Sequence, residues 1–194
     1  MSTVERLACQ SRPWRVFTQR LVLPWALGGA ALRGDVLELG SGSGAMAAAL
    51  LDRFDGIRLT ATDVDPAMRA AASAALARYG HRAEVQDADA TRLAFADASF
   101  DVVVSCIMLH HVIAWEAALA EVARVLRPGG TFVGYDLMQS GPNRLLHRVD
   151  GSTHRLASAT DVRERLEALP FVNIRVRPAL GGLVARFGAE RAGA

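Results

Sequence analysis

The chain has 194 residues, about half of them hydrophobic and 22% charged, with a formal net charge of +2. That length and apolar content suit one folded domain with a full core and exclude a disordered chain. Lys is absent, which excludes a Schiff-base amine, and the two cysteines, Cys9 and Cys106, are too far apart for a disulfide framework or a zinc cluster.

Residues 1–33 carry five Arg against one Glu. Residues 4–32 read as mainly helical, with breaks at Pro13 and Pro24, and predict a cap over the core. Residues 1–20 lack the apolar centre of a signal peptide. Residues 21–31 are interrupted by Pro24, Gly28 and Gly29 and fall short of the ~20 apolar residues of a membrane span. A cytoplasmic protein is expected. From residue 35, strand and helix alternate. Residues 35–39 read as a strand, 45–53 as a helix and 57–62 as a second strand. Residues 66–79 read as a helix, with Pro66 at its start and Gly80 just past its end. Residues 82–86 and 100–105 read as the third and fourth strands. Residues 115–126 read as a helix stopped at Arg127-Pro128-Gly129-Gly130, and 131–136 as a fifth strand. This alternation predicts an α/β, doubly wound, Rossmann-like sheet that is mostly parallel.

The tail reads differently. Residues 138–158 show no clear period and predict a loop or short lid. A helix is expected over 160–169, with Thr160 or Asp161 near its cap. Residues 171–177 and 183–187 alternate in polarity around Pro178 and Gly181-Gly182, which predicts a terminal antiparallel hairpin. The expected organisation is a single domain, 1–194, with a helical cap (1–33), a core (34–136) and a lid plus hairpin (137–194). The core is acidic, with fourteen acids against eight Arg, while residues 137–194 hold nine Arg and five acids. No run of consecutive positive charge appears, so nucleic acid is not an expected partner.

The stretch Val36-Leu37-Glu38-Leu39-Gly40-Ser41-Gly42-Ser43-Gly44 carries the chemistry. A buried strand runs into a glycine turn and then a helix N-terminus. Glycines permit positive φ and close ligand approach. Exposed N–H groups and the helix dipole favour an anionic group. This marks a nucleotide-type cofactor site. The spacing also satisfies the loose dinucleotide pattern G-x-G-x-x-A, and Asp63, about twenty residues on, suits a ribose contact in either case.

Further segments decide between the two. Glu38-Leu39-Gly40-Ser41-Gly42-Ser43-Gly44 matches an E/D-x-G-x-G-x-G motif. Thr62-Asp63-Val64-Asp65-Pro66, Asp89-Ala90-Thr91-Arg92-Leu93-Ala94-Phe95 with Ser99-Phe100-Asp101-Val102-Val103, and Val125-Leu126-Arg127-Pro128-Gly129-Gly130 follow in order. Together they resemble the class I S-adenosylmethionine-dependent methyltransferases, and especially the small bacterial enzymes similar to the ubiquinone and menaquinone methyltransferases. Ala94 stands where the pattern usually has Pro.

The resemblance implies a seven-stranded sheet and S-adenosylmethionine as cofactor, leaving S-adenosylhomocysteine. It implies that Asp63 accepts from the ribose hydroxyls, Val64 packs on adenine, and Asp89 and Ala90 meet the adenine edge. Glu38 would lie under the turn, Gly40, Ser41, Gly42 and Gly44 would leave room for the methionine part, and Cys106 would be a small wall residue. The segment Ser105-Cys106-Ile107-Met108-Leu109-His110-His111 follows the fourth strand, nearest the methyl in such folds. His110 and His111 are the candidate catalytic bases, because imidazole titrates near neutrality. Asp136 ends the fifth strand on the same side. Asp65 reads as a helix cap, Asp87 as a loop acid, and Met46 and Met68 as packing residues. His147, Asp150 and His154 do not make a metal site. The expected activity is methyl transfer by in-line displacement to a small-molecule acceptor. The alternatives are a non-catalytic cofactor-binding protein and an RNA methyltransferase.

Overall fold

The computed structural model describes Val16, residues 18–150 and residues 154–193. Seven strands form one sheet in the order β3-β2-β1-β4-β5-β7-β6. They are β1 (Gly34–Leu39), β2 (Ile57–Asp63), β3 (Ala83–Asp87), β4 (Phe100–Cys106), β5 (Leu126–Leu137), β6 (Phe171–Ala179) and β7 (Val184–Arg191). The first five are parallel, and β7 runs antiparallel to both β5 and β6. The expected doubly wound sheet with a terminal hairpin is therefore present.

Helices cover both faces. On one lie α1 (Leu23–Leu27), α2 (Ala45–Arg53) and α3 (Pro66–Leu76), packed around Val36, Leu59, Val104 and Tyr135. On the other lie α4 (Trp115–Val125) and α6 (Ala159–Glu167), packed around Leu37, Val103, Phe132 and Phe187. The central strands are buried on both faces, which is why they read as near-continuous Val and Leu.

Several elements depart from the sequence reading. The stretch expected to be a loop or lid contains helix α5 (Gly141–Asp150). Its Gly and Pro were read as loop punctuation, yet they occupy the first turn, where the missing proline N–H costs nothing. Asn143 ties that turn down by donating its side-chain amide to the carbonyls of Met138 (2.8 Å) and Leu183 (2.7 Å). The cap of α6 is Ser158, which forms a capping box with Asp161. The helix expected over 66–79 ends at Leu76 and tightens into a 3₁₀ stretch, Ala77–Arg82. Asp65 caps α3 as expected, accepting from the Ala67 N–H at 2.8 Å. Of the expected N-terminal cap, residues 1–15 and 17 lie outside the described residues. The described part is a π-helical turn, Thr18–Val22, followed by α1. Pro24 sits in the first turn of α1 and does not break it.

An ion-pair network closes the amino ends of the strands. Arg127 on β5 donates to Asp101 on β4 (2.6 Å) and to Asp35 on β1 (3.1 Å), and Arg58 on β2 donates to Asp35 (2.7 Å). Burial disfavours charge on Asp35, but the hydrogen bonds from Arg58 and Arg127 prevail and hold its pKa below the usual carboxylate value. At the far edge, β6 carries an irregularity between Val172 and Arg175, with Asn173 at φ 53°.

Phe132 has no exposed surface and stacks on Phe187 (5.1 Å between centroids) and Phe171 (6.3 Å). It joins the parallel core to the antiparallel hairpin. Phe132→Ala is expected to cost about 3–5 kcal/mol, measurable by denaturant unfolding.

Candidate active site at the carboxyl ends of the strands

The loop after β1 is shaped by its neighbours. Gly40 lies at φ 61°, and a Cβ there would come within 2.0 Å of the Met108 side chain. Gly42 also has positive φ (54°), but nothing lies within 4 Å of where its Cβ would be. The first glycine is required by packing, whereas the second borders open space. Gly44 begins α2 with its Cα side against Ala72 of α3. The Ser41 N–H donates to the Thr62 carbonyl at 2.8 Å, which ties the loop to the end of β2.

Two carboxylates flank this loop. Asp63 accepts from the Gly42 N–H through Oδ2 and from the Asp65 N–H through Oδ1, both at 2.9 Å. Glu38 is buried, and its Oε2 has no hydrogen-bond partner among the described residues. Burial, and then the charge of Asp63, push the Glu38 pKa up to about 8. The buried Ser41 hydroxyl likewise lacks a partner. Buried polar groups are nearly always satisfied, so two orphans beside one loop mark a place where a ligand's polar atoms fit.

The next loops extend the site. Val64 is an exposed apolar side chain directly after Asp63, at 64% exposure. Arg69 on α3 holds that corner by donating to the carbonyls of Asp63 (3.0 Å) and Val64 (2.9 Å) and to Asp87 (3.1 Å). Asp89 is exposed, and one of its oxygens accepts from the Thr91 N–H and hydroxyl, each at 2.8 Å. Ala90 is half-buried against the core. Arg124 and Glu121 on α4 grip the Leu93 backbone, with Arg124 donating to its carbonyl (2.9 Å) and Glu121 accepting from its N–H (2.7 Å). The sequence reading missed Arg69, Glu121 and Arg124. The i, i+3 acid–base spacing of the last two was the available signal.

The loop after β4 is held from below. Asp136 is buried at 2% exposure. It accepts from the N–H groups of Met108 (3.2 Å), His110 (3.2 Å) and Leu137 (2.6 Å), and it pairs with His110 Nδ1. His110 is itself buried, so its ring serves the loop. His111 is half-buried and packs its ring on that of His110, 4.1 Å between centroids. Ile107 is bent to φ 50°, a strained conformation for a β-branched residue. Burial, then the charges of Glu38 and Asp136, push the Cys106 thiol well above its ordinary pKa. It stays protonated and suits a wall position rather than a nucleophile. The buried Ser105 hydroxyl has no partner among the described residues. It lies on the other face from Glu38.

Of the remaining candidates, the side chains of His147 and Asp150 lie outside the described residues, and His154 is half-buried. Among the described residues no group of His, Cys, Asp and Glu could hold a metal ion. No helix among them is long and apolar enough to cross a membrane.

Residues 37–134 match the family described as a methyltransferase domain. This chain belongs to that family. The methyltransferase domain is 31% identical over 159 residues to the demethylmenaquinone methyltransferase of Thermus thermophilus, covering 80% of this chain and 62% of that protein. It is 35% identical over 136 residues to the malonyl-[acyl-carrier protein] O-methyltransferase of Hahella chejuensis, covering 67% of this chain and 48% of that protein. The chain thus spans about half to three-fifths of the length of these relatives. Among solved structures, a putative methyltransferase from Bacillus halodurans superposes with a TM-score of 0.74 at 20% identity, covering 88% of this chain and 98% of that one. A Haemonchus contortus phosphoethanolamine N-methyltransferase bound to S-adenosylhomocysteine superposes at 0.78 and 16% identity, covering 97% of this chain and 58% of that one. At those identities the likeness shows the fold.

Glu38 gives a test of the site without ligand. A carboxyl whose folded pKa is raised binds its proton more tightly in the folded state. Between the ordinary value near 4.5 and the folded value of about 8, stability falls as pH rises. The expected slope is up to about 1.4 kcal/mol per pH unit. Glu38→Gln should flatten this part of the profile, which thermal unfolding from pH 5 to pH 8 would read directly.

Proposed function

We propose that the carboxyl ends of β1, β2 and β4 bind S-adenosylmethionine and that the domain transfers its methyl group to a small organic acceptor. One observation carries the reading. Gly42, whose N–H is held by Asp63, borders open space, and the buried Glu38 that ends the strand before this turn has an Oε2 with no partner among the described residues. A ligand with an ammonium group and a vicinal diol matches these two acids.

The residues present fit the cofactor. Glu38 and Ser41 would meet the polar end of its methionine part, and Gly40, Gly42 and Gly44 leave it room. A cationic amino group beside Glu38 would favour the ionised carboxylate. Each oxygen of Asp63 accepts one backbone N–H and keeps a further lone pair, so the ribose hydroxyls would add to the loop contacts rather than displace them. Val64 offers adenine an apolar surface. The second oxygen of Asp89 would accept from the adenine amino group, with the Ala90 N–H beside it. Cys106 would form part of the wall. When bound, the cofactor supplies a methyl group on a positively charged sulfur, open to in-line displacement.

What remains for the chain is alignment, exclusion of water and, for acceptors with an acidic proton, proton removal. His111 is the stronger candidate base, because the His110 ring is committed to Asp136 beneath the loop. The imidazole of His111 would take the proton of an acceptor O–H, N–H or C–H as the new bond to methyl forms. The relatives' names include demethylmenaquinone and a malonyl group on a carrier protein. They support an organic acceptor without choosing its class. No observation favours the RNA methyltransferase or the non-catalytic reading.

Calorimetry with S-adenosylhomocysteine is expected to show one site per chain, and NAD should not bind. Asp63→Ala should weaken that binding by roughly 2 kcal/mol, about 30-fold, in keeping with hydrogen bonds to a charged acceptor. Tight NAD binding with no adenosylhomocysteine signal would overturn the cofactor assignment. Unchanged affinity in the variant would remove Asp63 from the site.

His111→Ala is expected to lower turnover by about 10²-fold while leaving cofactor affinity nearly constant. The rise of rate with pH near neutrality should disappear with the imidazole. A variant that keeps most of its turnover and the same pH profile would reduce His111 to a loop residue.

A further inference from the structure

We propose a second binding site, for a phosphate-bearing small molecule, on the face of the β6–β7 hairpin beside α1. It is independent of the methyl-transfer reading. A cavity of about 370 Å³ opens there, within the range of small-molecule sites. Its floor is Val133 on β5 and Gly188 on β7, one wall is the loop from Gly28 to Ala30, and its rim carries Arg175, Arg177 and Arg186. Strand alternation sets this up. Ala185, Phe187 and Ala189 turn into the core on the opposite face, which leaves Arg186 and Gly188 on this one.

The three guanidinium groups are arranged at a cost. Arg177 and Arg186 are directly paired across the two strands, so their side chains share a face at close quarters. Like charges directly opposite are destabilising, and an anion between them would reverse the sign. Arg186 is already fixed, donating from Nη1 to the Trp25 carbonyl at 2.9 Å. Gly28 eases that approach, because a Cβ there would lie a tight 3.1 Å from Arg186 Nη1. Arg175 and Arg177 are exposed, and neither makes a hydrogen bond or ion pair among the described residues. Among the described residues lining the cavity the acid is Glu190, which accepts from the Asn173 amide at 2.9 Å. Among the described residues the cavity therefore has one anchored guanidinium and two with their donors unused, against a single carboxylate, Glu190, that pairs with none of them.

Three planar donor forks around a concave floor suit a tetrahedral dianion better than a planar monoanion. The floor includes Thr131 and Val133, mid-strand in the twelve-residue β5 and on the opposite face of the sheet from Phe132 and, by alternation, Asp136. The candidate active site adjoins the carboxyl end of that strand, at Asp136. The proposed ligand is therefore a phosphomonoester bound away from the reacting atoms.

The test uses the full chain and two probes, phenyl phosphate and benzoate, by calorimetry in an amine buffer of low chloride. Phenyl phosphate is expected to bind saturably at one site per chain and benzoate at least about 10-fold more weakly, since the dianion engages more charged donors. The paired substitution Arg175→Ala with Arg177→Ala should weaken phenyl phosphate binding by at least about 10-fold and abolish the rise in melting temperature that it produces. The ligand-free melting temperature should hold or rise, because like charges have been removed. Unsaturable binding, equal binding of benzoate, or affinity unchanged by the paired substitution would each overturn the proposal.

Discussion

The candidate active site depends on one buried carboxylate. Asp136 gathers the N–H groups of Met108, His110 and Leu137 and the His110 ring around two oxygen atoms. A charge or polar group at that depth is tolerable only when it is fully hydrogen-bonded. Here the backbone supplies most of the donors. The loop after β4 is bent so far toward the carboxylate that Ile107 takes positive φ. That bend also presses Met108 against Gly40. The glycine turn proposed to face the cofactor is thus shaped through Met108 from a carboxylate two strands away. Removing Asp136 would release both loops together.

The two ends of the sheet manage charge in opposite ways. At the amino ends, Asp35, Asp101, Arg58 and Arg127 satisfy one another across four strands. At the carboxyl ends, Glu38 and Ser41 keep buried oxygen atoms without partners among the described residues. An unpaired buried group costs about 1–3 kcal/mol, a cost that a bound ligand would offset. Parallel strands place their loops, and hence their ligand sites, at the carboxyl ends.

Much of this was legible in the sequence because it rests on local rules. The strand–glycine–helix order, the Asp65 cap and the alternation of the hairpin each follow from a few adjacent residues. The acid positions Glu38, Asp63 and Asp89 follow from motif spacing. What the sequence hid is non-local or weakly patterned. Helix α5 is short, and its apolar positions Leu145, Leu146 and Val149 make only one helical repeat behind a Gly and a Pro that signal a loop. The grip of Arg124 on residue 93 crosses about thirty positions, and its partner carbonyl belongs to the backbone. Which of His110 and His111 pairs with Asp136 is a matter of burial that two identical neighbouring residues cannot signal.

The irregular edge strand β6 has a consequence for the life of the protein in concentrated solution. An open sheet exposes rows of unused backbone donors and acceptors to any passing chain, and flat edges recruit one another into fibrils. The kink at Asn173, the missing N–H of Pro178 and the crowding of Arg175 and Arg177 all fall on this outermost strand. Each spoils the template for a foreign strand. At the opposite edge, β3 is only five residues long and carries Glu84 and Asp87. The same arginines that shape the cavity on the hairpin therefore also guard the sheet against aggregation, and neutralising them would bear on colloidal behaviour before it touched the reaction.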